Sequence, residues 1–305
     1  MPSLPDIVTE LGTKVDESVS LVVARKGNDQ TLDARKVILA DDSADSFRDL
    51  CRAAIESLAQ RTVVAYTADA ELTGSEAFVI DDQDTLDELV DLRALATQAS
   101  TLPNTAPKDL DVSIQMYAVV VGNGTRAVFV RRADPTMTFK AGKVFAIGQE
   151  QLRIVEEPVF GFSPGFDLVL TDEWAVVLSQ SAFERLYRDI GLIEQHVSEW
   201  VKGITDHLPM AEGSVTSLKD VALRDSRTWR KLREIRRRGH LAGIDLNEVR
   251  KYAKQMQLDP TKIVQDDQLV FDPAERFSFL HLLNEDLYKG PLTDAAFEAQ
   301  RKAPV

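Results

Sequence analysis

The sequence predicts an α+β fold. An N-terminal unit carries a mixed or antiparallel sheet, antiparallel strands packed by a long helix follow, and the C-terminal region is helical. Three observations carry this reading. Short β-rich runs alternate with turn residues, and one pair flanks Gly122-Asn123-Gly124, where Asn-Gly supplies the positive φ angles of a type I′ hairpin. Apolar residues spaced by three and four mark helices between and after these runs. Charge also shifts along the chain: the net charge is −13, but residues 1–111 carry −12, residues 112–223 carry −4 and residues 224–305 carry +3.

Taken in order, 19–25 and 34–39 read as strands about the turn Gly27-Asn28-Asp29. Phe47, Leu50, Cys51, Ala54, Ile55 and Leu58 then form a helical stripe, with Cys51 a core residue. Strands at 62–66 and 77–80 precede a helix over 84–97, whose Leu86, Leu89, Val90 and Ala94 face inward. The polar, proline-bearing stretch 100–111 marks a boundary between a domain of residues 1–105 and a second of residues 112–305. Beyond it, strands are expected at 113–121, 125–132, 144–147, 152–155, 166–170 and 174–178, closely spaced enough to favour an antiparallel sheet.

A long helix begins near Ser181, with Glu184 completing a capping box. Leu186, Ile190, Ile193, Val197, Trp200 and Ile204 recur along it at three and four. Such a stripe forms either an oligomer seam or the face that covers the sheet. A loop over 207–217 leads to three helical patterns, at 218–223, 227–238 and 246–257, the last capped by Asp245 and Glu248. A short strand at 268–271 and a helix opening at Asp272-Pro273 complete the chain.

The helix 226–238 is the sharpest feature. Residues 224–238 hold eight Lys/Arg against two acids, a net of +6. At 100° per residue Trp229, Leu232 and Ile235 share one side, while Arg227, Arg230, Lys231, Arg233, Arg237 and Arg238 fan over the other. Arg236 falls on the apolar side. Arg250, Lys251 and Lys254 on the next helix add positive charge. These nine cations outside the apolar stripe are the expected DNA contacts, because a guanidinium-rich face neutralises phosphates and releases counterions. The alternative is a basic face paired with the acidic N-terminal third. A helix-turn-helix reading of 218–257 has the charge but few side chains that read base edges.

Other chemistries find little support. Four histidines and one cysteine are scattered without metal-ligand spacing. The match to G-x-S-x-G at Gly161–Gly165 lacks the backbone N–H after the serine, because Pro164 stands there. No phosphate-cradling glycine motif occurs, and no lysine follows an acid at the acid-x-lysine spacing of metal-dependent nucleases. Acid pairs at Glu156-Glu157, Asp266-Asp267 and Glu285-Asp286 leave a two-metal nuclease as an alternative. Apolar runs are too short to span a bilayer and the N-terminus does not read as a signal peptide.

Arg276, the run Phe279-Leu280-His281-Leu282-Leu283-Asn284-Glu285-Asp286, Leu292-Thr293, Phe297 and Lys302 resemble the closing signature of the KwaB-like family, the soluble component of the Kiwa anti-phage defence system. Pro291 stands where that motif often has serine. Lys143–Ile147, Phe166-Asp167 and the helix from Phe183 are similar in order and kind. The resemblance implies a cytoplasmic protein that binds double-stranded phage DNA with little sequence preference and is recruited to the inner membrane by the membrane protein KwaA. It implies a homodimer or higher homo-oligomer that blocks phage replication or transcription. It brings no catalytic residues and no cofactor. The expectation is therefore a DNA-binding effector that is not an enzyme; a nuclease, or an interaction scaffold that does not bind DNA, is the alternative.

Overall fold

The computed structural model describes residues 2–27, 32–67, 71–106, 114–133, 138–139, 144–147, 152–155, 159–162, 165–290 and 296–298. The turn residues Asn28-Asp29, most of the expected boundary after residue 106, Glu156-Glu157, Ser163-Pro164, Pro291, Leu292-Thr293 and Lys302 lie outside them. The chain forms two compact units. One comprises Met1–Ala65 with Leu72–Gly191, the other Tyr66–Glu71 with Leu192–Val305.

The first unit is built on a nine-stranded sheet. Its elements in chain order are α1 (Leu4–Val15), β1 (Val19–Lys26), β2 (Leu32–Val37), α2 (Asp41–Ala59), β3 (Thr62–Ala65), β4 (Glu76–Ile80), α3 (Gln83–Glu88), α4 (Val90–Gln98), β5 (Asn104–Thr105), β6 (Met116–Val121) and β7 (Ala127–Arg132). Two small antiparallel ribbons follow, pairing β8 (Thr138–Phe139) with β11 (Val159–Phe160) and β9 (Val144–Ile147) with β10 (Leu152–Val155). Then come β12 (Leu168–Leu170), β13 (Ala175–Val177) and α5 (Gln180–Asp189). The sheet order is β3-β4-β13-β12-β7-β6-β1-β2-β5. Only the pairs β3–β4 and β2–β5, at the two edges, are parallel.

This order corrects the expected domain boundary. Strand β1 pairs with β6 over Val19↔Val121 to Ala24↔Met116, and β4 pairs with β13. The strands before and after the polar stretch thus interleave in one sheet, and the division falls at Gly191 instead. Composition marked a real loop, but the long-range hydrogen-bond ladder decides which strands share a core.

Every residue of β6 is buried, as is Ala127–Val130 of β7. A strand with no exposed face needs cover on both sides, which explains its continuous apolar run. On one face Leu21, Tyr117, Val119, Phe129 and Val176 meet Ile7, Leu11 and Val15 of α1 and Phe47, Cys51 and Leu58 of α2 in a single apolar cluster. Helices α4 and α5 pack on the sheet at β7. Helix α1 went unread in the sequence, although Ser3 caps it and Ile7, Leu11 and Val15 recur every fourth residue. Cys51 is buried as expected, and burial pushes its thiol well above the ordinary range.

The expected long helix from Ser181 is two helices. Ser179, not Ser181, is the N-cap of α5, and Gly191 at φ 81° breaks the path before α6 (Leu192–Thr205). The stripe Leu186, Ile190, Ile193, Val197, Trp200 and Ile204 is therefore split between units, and all six residues are buried within the chain itself. It does not form one continuous oligomer seam.

After α6, the second unit contains α7 (Glu212–Ala222), α8 (Ser226–Arg238), α9 (Leu246–Gln255), α10 (Pro260–Ile263), the hairpin β14 (Val264–Gln265) with β15 (Gln268–Leu269), α11 (Arg276–Leu283), and the hairpin β16 (Leu287–Lys289) with β17 (Ala296–Glu298). The expected loop over 207–217 is shorter, because α7 begins at Glu212. The helix expected from Asp272-Pro273 starts as a 3-10 turn and ends at Leu283, where Asn284 caps it and Glu285 takes a left-handed φ of 55°.

Helix α8 lies against α6, α7 and α11. Its approach to α6 is set by Gly203: a methyl group there would sit 2.7 Å from the Arg236 Cα. Backbone cannot retreat from such a contact without moving the helix. Gly203→Ala is therefore expected to destabilise the protein by about 1–3 kcal/mol, measured as a lower urea midpoint at unchanged slope.

Candidate nucleic-acid interface

Local sequence sets both ends of α8. Asp225 is its N-cap, accepting the Thr228 backbone N–H at 3.2 Å and the Thr228 hydroxyl at 2.6 Å. Arg236, Arg237 and Arg238 occupy the last turn, where cations complement the helix dipole, and Gly239 at φ 57° closes the helix. Trp229, Leu232 and Ile235 are fully buried, as the periodicity predicts. Trp229 stacks on Trp200 of α6 with centroids 5.6 Å apart and an interplanar angle of 23°.

The expected solvated cationic face needs correction. Arg230, Lys231 and Arg233 are only 6%, 3% and 8% exposed. Arg236, placed on the apolar side by helical geometry, is instead exposed and pairs with Glu199 at 2.7 Å and Asp206 at 3.7 Å. Arg237 pairs with Glu234 at 2.9 Å one turn back, and Arg227 reaches Glu71 at 3.6 Å. The Arg233 guanidinium lies 5.0 Å from the Tyr66 ring centroid. Of the acids named, only Glu71 stands in the acidic N-terminal third. Helix α8 is the central helix of its unit, buried on several sides. A groove-reading helix would leave that face open.

The Arg276-to-Asp286 segment grips α8 at three points. Arg276 Nε stands 3.4 Å from the capping carboxylate of Asp225. Lys231 forms a fully buried ion pair with Asp286, whose carboxylate also accepts from Asn284 Nδ2 at 2.9 Å. Arg238 donates to the Asn284 carbonyl at 2.6 Å and pairs with Glu285 at 2.9 Å. His240 Nε2 adds a hydrogen bond to the Leu283 carbonyl at 2.8 Å. The acid pair Glu285-Asp286 is thereby committed to holding cations of α8 and its end. Of the other described acid pair, Asp266 and Asp267 sit in the β14–β15 turn at φ 46° and 55°, with Asp267 2.8 Å from Arg250. Among the described residues no three His, Cys, Asp or Glu side chains converge as a metal site requires.

Helix α9 adds two exposed lysines. Its capping box forms as expected: Asp245 accepts from the Glu248 N–H at 2.9 Å, and Glu248 accepts from the Asp245 N–H at 3.0 Å. Val249 and Ala253 face inward, while Lys251 and Lys254 are exposed, with no carboxylate at ion-pair distance among the described residues. Arg250 is partly covered beside Asp267. Between the lysines, the Tyr252 hydroxyl donates to the Leu287 carbonyl, tying α9 to β16. Of the nine expected DNA contacts, three are therefore buried and Arg238 is engaged in the grip. Arg227, Arg237, Arg250, Lys251 and Lys254 keep exposed surface.

Removing one partner of a buried ion pair leaves the other charge uncompensated, which costs about 3–5 kcal/mol. Asp286→Ala is expected to lose that much in urea unfolding. The double replacement Lys231→Met with Asp286→Leu, which removes both charges, is expected to recover most of it.

A family model described as Kiwa protein KwaB-like matches residues 113–293, more than half of the chain. No curated protein and no solved structure matches it. The matched span includes the last strands of the nine-stranded sheet, α8, α9 and the Arg276–Asp286 segment that grips them. On this match the chain belongs to the KwaB-like family of Kiwa anti-phage defence components.

Proposed function

We propose that this protein is a non-enzymatic, sequence-nonspecific DNA-binding effector of phage defence, recruited to the inner membrane by the membrane component of the Kiwa system and blocking phage DNA replication or transcription. The observation that carries DNA binding is the pair of exposed lysines on α9, Lys251 and Lys254, which have no acid partner among the described residues, in a chain of net charge −13. Arg227, Arg237 and Arg250 extend the positive surface. Each has an acid neighbour, but exposed ion pairs are worth little and are readily exchanged for phosphate. Such contacts neutralise phosphates without reading bases, which supports affinity with little sequence preference.

No helix among the described residues is long and apolar enough to cross a membrane, so attachment there falls to a partner in this reading. Self-association, which the family resemblance implies, uses a surface other than the buried stripe of α5 and α6.

Anisotropy of a random duplex across a salt series tests the proposal. Affinity is expected to fall linearly on a log–log plot, and Lys251→Glu with Lys254→Glu to flatten the slope by about 2, near 0.9 per lost phosphate contact. Arg230→Gln is expected to act through stability, not through the salt slope. Absence of binding at low salt overturns the DNA reading and favours a protein partner for this surface. Cleavage of supercoiled plasmid with Mg²⁺ overturns the non-enzymatic one.

A further inference from the structure

Two large aromatic side chains of the second unit remain open to solvent. Tyr288 on β16 is 49% exposed and Phe297 on β17 is 45% exposed. They are direct cross-strand partners, and their rings lie nearly parallel at 24° with centroids 5.6 Å apart. A cross-strand aromatic pair stabilises a hairpin by roughly 0.2–1 kcal/mol, and that alone accounts for the two rings touching. It does not account for a half-exposed aromatic surface where a core-facing pair would bury both rings.

Position supplies the rest. Leu287, the residue before Tyr288, accepts the hydroxyl of Tyr252, and Tyr252 lies on α9 between Lys251 and Lys254. The aromatic pair and the two exposed lysines thus belong to structural elements joined by a hydrogen bond within one unit. Exposed rings and exposed cations on linked elements are the two features that a single-strand binding surface combines. There the cations meet the backbone phosphates and the rings take the flat faces of unstacked bases, whatever their sequence. A duplex offers phosphates but keeps its base faces covered.

We infer that Tyr288 and Phe297 form a stacking platform for unpaired bases, and that Lys251 and Lys254 bind the adjoining phosphates. The ligand class is single-stranded nucleic acid, as exposed at replication forks and transcription bubbles. This rests on the DNA-binding reading proposed above and narrows it from duplex to opened strands.

The test compares an oligothymidylate 20-mer with a random duplex of equal length, by anisotropy on the full chain. Tyr288→Leu with Phe297→Leu keeps apolar side chains on the hairpin but removes the rings. This variant is expected to lose about 5- to 150-fold in affinity for the single strand, the effect of one lost stacked base, and to keep duplex affinity. Tyr288→Phe keeps the ring and is expected to bind like the parent. Unchanged single-strand affinity in the double leucine variant, with both ligands weakened by Lys251→Glu and Lys254→Glu, overturns the platform and leaves DNA binding standing. A loss in Tyr288→Phe equal to that of the double leucine variant also overturns it, since the hydroxyl would then be the contact. If neither ligand binds the parent protein at low salt, the DNA reading falls and the platform falls with it.

Discussion

The buried ion pair between Lys231 and Asp286 is the constraint on which the second unit depends. Both side chains are essentially out of water, at 3% and 0% exposure. Such a pair persists only where geometry compensates the lost hydration, and here Asn284 shares the carboxylate. The pair joins residues 55 positions apart. It holds α8 against the turn that ends α11, and the flanking contacts Arg276–Asp225 and Arg238–Glu285 extend the attachment towards both ends of the helix. With α8 held there, α9 follows across the turn at Gly239 and Gly243, and its lysines take their exposed places.

This changes the meaning of the basic stretch. Eight cations in fifteen residues are not a free phosphate-binding surface when the tertiary fold supplies the acids. Arg230, Lys231 and Arg233 are buried, Lys231 against the Asp286 carboxylate and Arg233 over the Tyr66 ring. The weaker sequence signal, three cations on the following helix, supplies the two lysines that stay open. Charge density along a sequence and charge available at a surface are different quantities, and in this unit the exposed cations are shared between α8 and α9.

The segment that carries the family resemblance has a structural role that sequence comparison does not disclose. Arg276 and Asn284-Glu285-Asp286 hold α8 in place, and Phe279, Leu280, Leu282 and Leu283 are buried. A signature of this kind preserves a scaffold. Exposed groups lie on α9 and on the hairpin that carries Tyr288 and Phe297, the latter itself among the residues of the resemblance.

Much of this protein was legible from the chain alone. The α+β class, most of the strands, the apolar stripe of α8 and the capping box of α9 follow from local rules: alternation, three-four spacing, turn dipeptides and caps. Each acts over a few residues, so a linear reading reaches it. Helix α1 obeys the same local rules, with Ser3 as its cap and Ile7, Leu11 and Val15 at every fourth residue. Only the tertiary structure decided which strands share a sheet, where the units divide, and which cations remain exposed. Strand β1 joins β6 across the expected boundary, and Lys231 meets Asp286 across 55 residues. The physical reason is the same in both cases: hydrogen-bond ladders and ion-pair partners are chosen by proximity in space, and one-dimensional spacing carries no record of contacts so distant in the chain.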